Sequence, residues 1–412
     1  MKRRVVITGL GAVTSLSCQV EDLFSRVLAC ESGIHALKVL DTTKFEVKFG
    51  GDVWDWNPSQ IDVREIKRLD RFSQFALVAA QDAVTDSGLD FSLEDPYRCG
   101  VVMGSGIGGL NEMEEQLDRL FHKGPDRVSP TSVPRLMQNA AGGNISIKFG
   151  LRGINFTVAT ACASANNAMG DAFKLIQRGD TEVMITGGTE AGITLLGLSC
   201  FQNMKALSFR NDEPHRASRP FDRDRDGFVI SEGAGIVIME ELEHAKKRGA
   251  RIYCEVLGYG ASCDGGHITQ PDPDGAGAAR AMQVALDDAQ LPADAVDYIN
   301  AHGTSTPLGD KAETAAIKRV FGAHSKRLSI SSSKSQLGHS LGASGGTEII
   351  LTAKAIEKQV VPPTANLENP DPECDLDYTP LKPKTRKIDV ALSNSFGFGG
   401  HNATILVGKL RD

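Results

Sequence analysis

Ten short, β-branched runs separated by helical segments predict an α/β protein whose strands are largely buried. Composition points the same way: 43 glycines and only 6% aromatic residues suit helices packed closely onto sheets. A third observation is an internal echo. Val5–Val13 (VVITGLGAV) and Ile252–Ala261 (IYCEVLGYGA) each read as a strand followed by a glycine turn. In each half a later strand then runs into a polar Gly/Ser/Thr loop, at Gly104–Gly109 and at His302–Thr306. With 412 residues, the chain is long enough for two such units, here placed at 1–249 and 250–412.

The strands are expected at Val5–Thr8, Gly100–Met103, Phe156–Thr160, Glu182–Thr186 and Gly235–Glu240 in the first half. In the second they fall at Ile252–Leu257, Tyr298–Ala301, Leu328–Ser332, Val390–Ser393 and Ala403–Val407. Helices are expected at Val20–Ala29, Arg64–Ser87, Gly109–Phe121, Ala163–Gln177, Gly277–Ala289, Lys311–Phe321 and Ser344–Lys358. Glu240–Arg248 also reads as a helix, with a basic last turn and Gly249 as its C-cap.

Several function classes are disfavoured. A net charge of −7 lacks the basic excess of a nucleic-acid binder. The eight cysteines form no C-x-x-C pair, which argues against a zinc site or a thioredoxin-like centre and for reduced thiols in a cytosol-like compartment. The basic start and apolar run at the N-terminus are interrupted by Gly9, Gly11, Thr14 and Ser15, so a buried strand accounts for them better than a signal peptide. No apolar run approaches the roughly 20 residues of a membrane span.

The chemistry-bearing segments sit at strand ends. In Phe156-Thr-Val-Ala-Thr-Ala-Cys162-Ala-Ser, a β-branched strand ends at a thiol and a small-residue helix begins at once. Unpaired N–H groups and the positive helix end favour a thiolate there; a packed core cysteine fits this segment alone equally well. The second half supplies two histidine loops, Asn300-Ala-His302-Gly-Thr304-Ser-Thr306 and Lys334-Ser-Gln-Leu-Gly-His339, each following a strand. Strand C-termini share one sheet edge in α/β proteins, so thiol and imidazoles are expected to meet. Such a set can hold an acyl thioester and bind a second thioester oxygen as charge develops on it. The tail Asn394-Ser-Phe-Gly-Phe398-Gly399-Gly-His-Asn402 adds a glycine-hinged loop.

Three motifs are discounted. Gly104-Ser-Gly106-Ile-Gly-Gly109 fits a dinucleotide fingerprint but lacks the second strand ending in an acid. Asp222-Arg-Asp224-Arg-Asp226-Gly opens like a calcium loop, yet Gly233 occupies the twelfth position and two arginines interleave the acids. Gly342-Ala-Ser344-Gly-Gly346 matches a nucleophile elbow with no strand running into it.

Across nearly its whole length the chain resembles the type II β-ketoacyl-[acyl carrier protein] synthases, elongating condensing enzymes of the thiolase-like fold. The resemblance rests on Thr160-Ala-Cys162-Ala-Ser, Asn300-Ala-His302-Gly-Thr-Ser-Thr, Lys334-Ser-x-x-Gly-His339 and Asn394-Ser-Phe-Gly-Phe-Gly-Gly, in that order. It implies two duplicated halves stacked as a five-layered α-β-α-β-α sandwich, and a homodimer. It further implies that Cys162 accepts an acyl chain from acyl carrier protein, and that His302 and His339 stabilise the enolate formed when malonyl-carrier protein loses CO2. By the same resemblance, Lys334 and Glu348 support the histidines. The N–H groups of Cys162 and Phe398 form the oxyanion hole, Phe398 is the gate, and Gly399 is a substrate-binding position. Ile107 and Phe201 match acyl-pocket positions, with Ile at 107 leaning to type II. Thr304 and Thr306 match contacts to the phosphopantetheine arm. Arg64, Lys67, Arg68 and Lys205 are candidates for the carrier-protein patch, ordinary solvated helix surface being the alternative.

No metal and no enzyme-bound cofactor are implied, because the substrates arrive on the carrier's phosphopantetheine. The compartment implied is the cytoplasm, or an organelle stroma or matrix for a processed chain. Two departures from the family lie on the pocket rim: Gly265-Gly266 replaces a bulkier pair before His267, and His401 stands where many relatives have Thr. Degradative thiolases would carry a second cysteine in the tail loop, and Cys–His–Asn synthases an asparagine at 339; neither feature is present. Polyketide-type ketosynthases and type I synthases share the motifs and are the remaining alternatives.

Overall fold

The computed structural model describes residues 2–58 and 61–411. All ten expected strands pair into one sheet: β1 (Val5–Val13), β2 (Cys99–Gly104), β3 (Asn155–Val158), β4 (Val183–Glu190), β5 (Gly233–Glu241), β6 (Cys254–Cys263), β7 (Tyr298–Asn300), β8 (Ser329–Ser331), β9 (Val390–Gly397) and β10 (His401–Gly408). Their spatial order is β8-β7-β9-β10-β6-β1-β5-β4-β2-β3. Outward from the antiparallel β1–β6 pair, each side reads first, fifth, fourth, second and third strand of its half. Pairing directions repeat too: two antiparallel ladders, then two parallel ones.

Six helices fill the layers: α1 (Arg71–Ser87), α2 (Ala140–Phe149), α3 (Ser164–Arg178), α4 (Ala276–Ala289), α5 (Pro307–Phe321) and α6 (Ser344–Lys358). α1 and α2 cover the outer face of the first half-sheet, and α4 and α5 that of the second. α3 and α6 lie between the half-sheets, giving the expected α-β-α-β-α stack. Strand side chains alternate between layers while staying buried. On β5, Ile236 and Ile238 face α1, whereas Val237 and Met239 face the middle helices. Burial on both faces is why these runs read as continuously apolar.

The structure corrects several boundaries. Gly9 and Gly11 are not a turn; β1 runs through them to Val13. A Cβ on Gly11 would lie 2.0 Å from the Ala79 carbonyl of α1, and one on Gly260 in β6 would lie 2.1 Å from that of Ala281 in α4. The echo between the halves therefore records strand–helix contact at equivalent places. The helix expected over Arg64–Ser87 is split into Val63–Ile66 and α1, because Asp70 caps α1 through Phe72 N–H (3.1 Å). Glycine-rich α2 and the short helices Ser132–Leu136 and Leu195–Asn203 went unforeseen.

Glu240 and Glu241 belong to β5, and the following helix is only Leu242–Lys247. The buried Glu240 carboxylate binds Arg248 Nε (2.8 Å) and His244 Nδ1 (2.8 Å), and His244 Nε2 lies 3.0 Å from Glu94. The hydrogen bond to Glu240, with help from Glu94 and against desolvation, raises His244 from 6.5 to about 9. Because the folded value lies above the unfolded one, this stabilisation is complete below about 6.5 and is lost as pH rises through 9. Thermal unfolding of the wild type should therefore lose its advantage over His244→Gln between those limits. A constant gap across that window would contradict the assignment.

Candidate active site

Cys162 sits in a 3₁₀ turn, Ala161–Ala163, between the end of β3 and the start of α3. The turn forces Ala161 to a φ of +50°, a conformation L-residues rarely hold, and this thrusts the thiol out of the strand line. The second half repeats the device at Leu341–Ala343 before α6, with Leu341 also at +50° and Gly342 at the place of the cysteine. His302 follows β7, and His339 follows the short helix Lys334–Leu337 after β8. Phe398 stands in the turn between β9 and β10. Five strand ends from two half-sheets thus converge on one point.

The geometry is close. His339 Nε2 lies 3.0 Å from Cys162 Sγ, and its Nδ1 lies 2.9 Å from Ser344 Oγ. The His302 ring stands edge-on to His339 with centroids 5.4 Å apart, and His302 Nδ1 has no hydrogen-bond partner among the described residues. Behind the histidines, buried Lys334 bonds buried Glu348. All three members of the Cys–His–His set are at least nine-tenths buried.

Burial governs their protonation. It pushes the Cys162 thiol up to about 11, against the Lys334 charge and the N–H groups of Phe398 and of Cys162 itself. This reverses the sequence expectation of a favoured thiolate: at neutral pH the resting group is a thiol beside an imidazole. Burial drives both histidines well below the usual imidazole value, with Lys334 acting in the same direction. Two neutral imidazoles can therefore donate N–H bonds to a developing oxyanion without bringing a buried charge of their own.

A cavity of about 570 Å³ opens over the trio. Its wall includes Ile107, Phe201, Lys205, Thr304, Thr306 and Phe398, all expected from the sequence. Thr304 and Thr306 hydroxyls lie 3.0 Å apart, and Thr306 also caps α5 through Gly309 N–H. Gly399, at a φ of +81°, is not part of the wall but donates to the Ile268 carbonyl at 2.6 Å, joining the tail loop to the rim. Gly265 and Gly266 have open space beside them, but Gly265 holds a φ of +65°, so a bulkier residue there would be strained by its backbone rather than by its neighbours. Lys334 and Glu348 do not line the cavity. Arg64, Lys67 and Arg68 are exposed on and after the helix Val63–Ile66 and take no part in the cavity, so of the proposed basic patch only Lys205 is on its wall.

Sequence reasoning missed two buried carboxylates and a hydroxyl. Glu313 accepts from His302 N–H (2.9 Å), Gly303 N–H (2.8 Å) and Asn394 Nδ2 (3.1 Å), which fixes the first histidine loop. Glu190 gathers the amides of the Gly104–Gly109 loop, and Ser344, discounted as a nucleophile, holds His339. Only Ser344 had a visible signal, its place five residues after His339 at a helix start. The calcium-like run is an ion-paired turn: Asp222 bonds Arg219 (3.0 Å) and the N–H groups of Asp224, Glu368 and Asn369. Among the described residues no group of three or more His, Cys, Asp or Glu is placed to hold a metal, and no helix is long and apolar enough to cross a membrane.

Alkylation of Cys162 by a small neutral reagent should keep rising between pH 8 and 10, followed by peptide mapping to separate it from the exposed Cys200 and Cys263. A Lys334→Met/Glu348→Gln double variant removes the cation that favours the thiolate and should slow alkylation about tenfold at a given pH. A rate already level at pH 8 would refute the buried-thiol account.

Residues 2–245 match the family model of the β-ketoacyl synthase N-terminal domain, and residues 253–368 that of the C-terminal domain. The 3-oxoacyl-[acyl-carrier-protein] synthase 2 of Synechocystis sp. is 50% identical over 409 residues, covering 99% of this chain and 98% of the relative. The protein of the same name from Coxiella burnetii is 46% identical over 412 residues, with full coverage of both chains. Among solved structures, a β-ketoacyl synthase from Burkholderia phymatum superposes with a TM-score of 0.92 at 35% identity over the whole of both chains. A type II polyketide ketosynthase, solved with its acyl-carrier protein, gives the same TM-score, identity and coverage. With its duplicated sheet, its strand-end thiol and the two histidines beside it, the chain belongs to the β-ketoacyl synthase family.

Proposed function

We propose that this protein is a 3-oxoacyl-[acyl-carrier-protein] synthase that lengthens fatty acyl chains by decarboxylative Claisen condensation. The observation that carries the reading is Cys162 Sγ lying 3.0 Å from His339 Nε2, with His302 alongside, in the wall of the large cavity. Identity favours the fatty-acid reading over a polyketide one: 50% to the Synechocystis synthase against 35% to the polyketide ketosynthase.

In the first half-reaction the Cys162 thiol loses its proton to solvent and attacks the carrier-bound acyl thioester. The carrier's pantetheine thiol leaves with a proton, and the acyl group stays on sulfur. The N–H groups of Cys162 and Phe398 receive the oxyanion. In the second half-reaction the malonyl thioester oxygen accepts bonds from His302 and His339, which support the enolate formed as CO2 departs. The enolate carbon attacks the acyl carbon, the C–S bond breaks, and the released thiolate takes a proton from solvent. Lys334 keeps both imidazoles neutral, and Glu348 compensates its charge. Phe398 gates the acyl channel, and Gly399 beside it contacts the substrate. Ile107 and Phe201 bound the acyl chain, while Thr304 and Thr306 hold the pantetheine arm at the mouth.

Acyl carrier protein is the macromolecular partner in this scheme, met by the patch Arg64, Lys67, Arg68 and Lys205. The enzyme works as a homodimer without metal or resident cofactor, in the cytoplasm or an organelle stroma or matrix. Dimerisation has support in β3, one of the two edge strands of the sheet, where Phe156 is 38% exposed.

Intact-mass analysis after exposure to acyl-carrier proteins tests the first step: one acyl adduct on the wild type and none on Cys162→Ala. An adduct persisting in the variant would sink the assignment. For the second step, His302→Ala and His339→Ala should each cut malonyl decarboxylation by about a hundredfold or more. Loading of Cys162 should fall much less; equal losses in the two steps would remove both histidines from the enolate.

A further inference from the structure

The loop leaving β2, Gly104-Ser-Gly106-Ile-Gly-Gly109, presents a run of backbone amides of the kind that cradles phosphates. Here they are turned onto a side chain of the protein itself. Glu190, the last residue of β4, is fully buried and touches no solvent. Its Oε1 accepts from Ser105 Oγ (3.1 Å), Ile107 N–H (3.1 Å) and Gly108 N–H (3.3 Å). Its Oε2 accepts from Gly106 N–H (2.6 Å) and from Gly342 N–H (3.1 Å) in the other half of the molecule. Five donors converge on two oxygens, and only a carboxylate offers acceptor capacity on both.

Glu190 does not reach the cavity, but what it holds does. Gly106 and Ile107 form part of the wall, and Leu341, next to Gly342, forms the facing part. The approach is close: a Cβ on Gly342 would lie 2.4 Å from Gly106 N and 2.6 Å from Glu190 Oε2. The two loops therefore cannot move independently while the carboxylate bridges them.

We propose that Glu190 is a positioning residue for acyl-chain selection, clamping the Ile107 loop of one half against the Leu341 turn of the other and so fixing the acyl channel's walls. The assignment rests on Cys162 being the acyl carrier. A glutamine at 190 would turn an N–H₂ group onto amide donors and lose at least two of the five bonds. The wall would then give way to chains it now discriminates against, while the lost charge would ease the Cys162 thiol downward by the same amount whatever the chain length.

The test loads Cys162 from carrier proteins bearing saturated chains from butanoyl to hexadecanoyl, comparing wild type, Glu190→Gln and the milder Ser105→Ala. The spread between best- and worst-loaded chains should contract about tenfold in Glu190→Gln, and less but in the same sense in Ser105→Ala. A uniform slowing at every length, or an unchanged profile, would overturn the proposal, since a merely structural role lowers all lengths alike. If Glu190→Gln does not fold, Ser105→Ala decides by the same criterion. Failure of the wild type to take any chain would instead overturn the acyl-carrier reading, and the clamp with it.

Discussion

The fold and its site both depend on how closely the two middle helices approach the half-sheets that enclose them. A Cβ on Gly235 of β5 would stand 2.1 Å from Thr347 N of α6, and one on Gly104 of β2 would stand 2.4 Å from the Ser164 carbonyl carbon of α3. Glycine at these points lets backbone meet backbone, so the N-termini of α3 and α6 reach the same depth from opposite halves. The turns that precede those helices are thereby brought together. One turn carries Cys162, and the equivalent one carries Gly342, which leaves room where a second side chain would collide with Gly106 and Glu190. Duplication supplies two equivalent frames, and the asymmetry between them makes a site.

That frame also decides the electrostatics. A thiol and two imidazoles removed from water all shift toward their neutral forms. Lys334 is the charge near all three, and it is itself compensated by Glu348. Buried carboxylates do further work at a distance from the reacting atoms. Glu313 fixes the loop before Thr304, and Glu190 ties the two walls of the acyl cavity. Neutral groups at the centre, with charges held behind them by amide and ammonium donors, avoid stranding an ion in the cavity.

Much of this was legible in the sequence. Strands buried on both faces are continuous apolar runs, and all ten were located. The four motifs placed Cys162, His302, His339 and Phe398 at strand ends and hence at one edge. What escaped notice had physical reasons. Gly9 and Gly11 look like a turn because the sequence does not display the helix packed against them. The Ala-Gly-Gly-Asn start of α2 looks like a loop because its helicity comes from packing on β2 and β3 rather than from propensity. Asp70 cut the predicted long helix because an Asp can cap as readily as it can lie mid-helix.

By itself the sequence determined the α/β class, the duplicated plan, the chemical types at the strand ends, and the membership those motifs carry. These are properties of local pattern: periodicity, spacing and residue chemistry within a few positions. Tertiary structure alone decided which partner each group meets. Ser344 could be known to hold His339, and Glu190 to fill an amide nest that resembles a phosphate site, only after segments far apart in the chain were folded together. It also decided that Cys162 rests as a thiol, because helix-end polarity is a local influence whereas desolvation is set by everything packed around the sulfur.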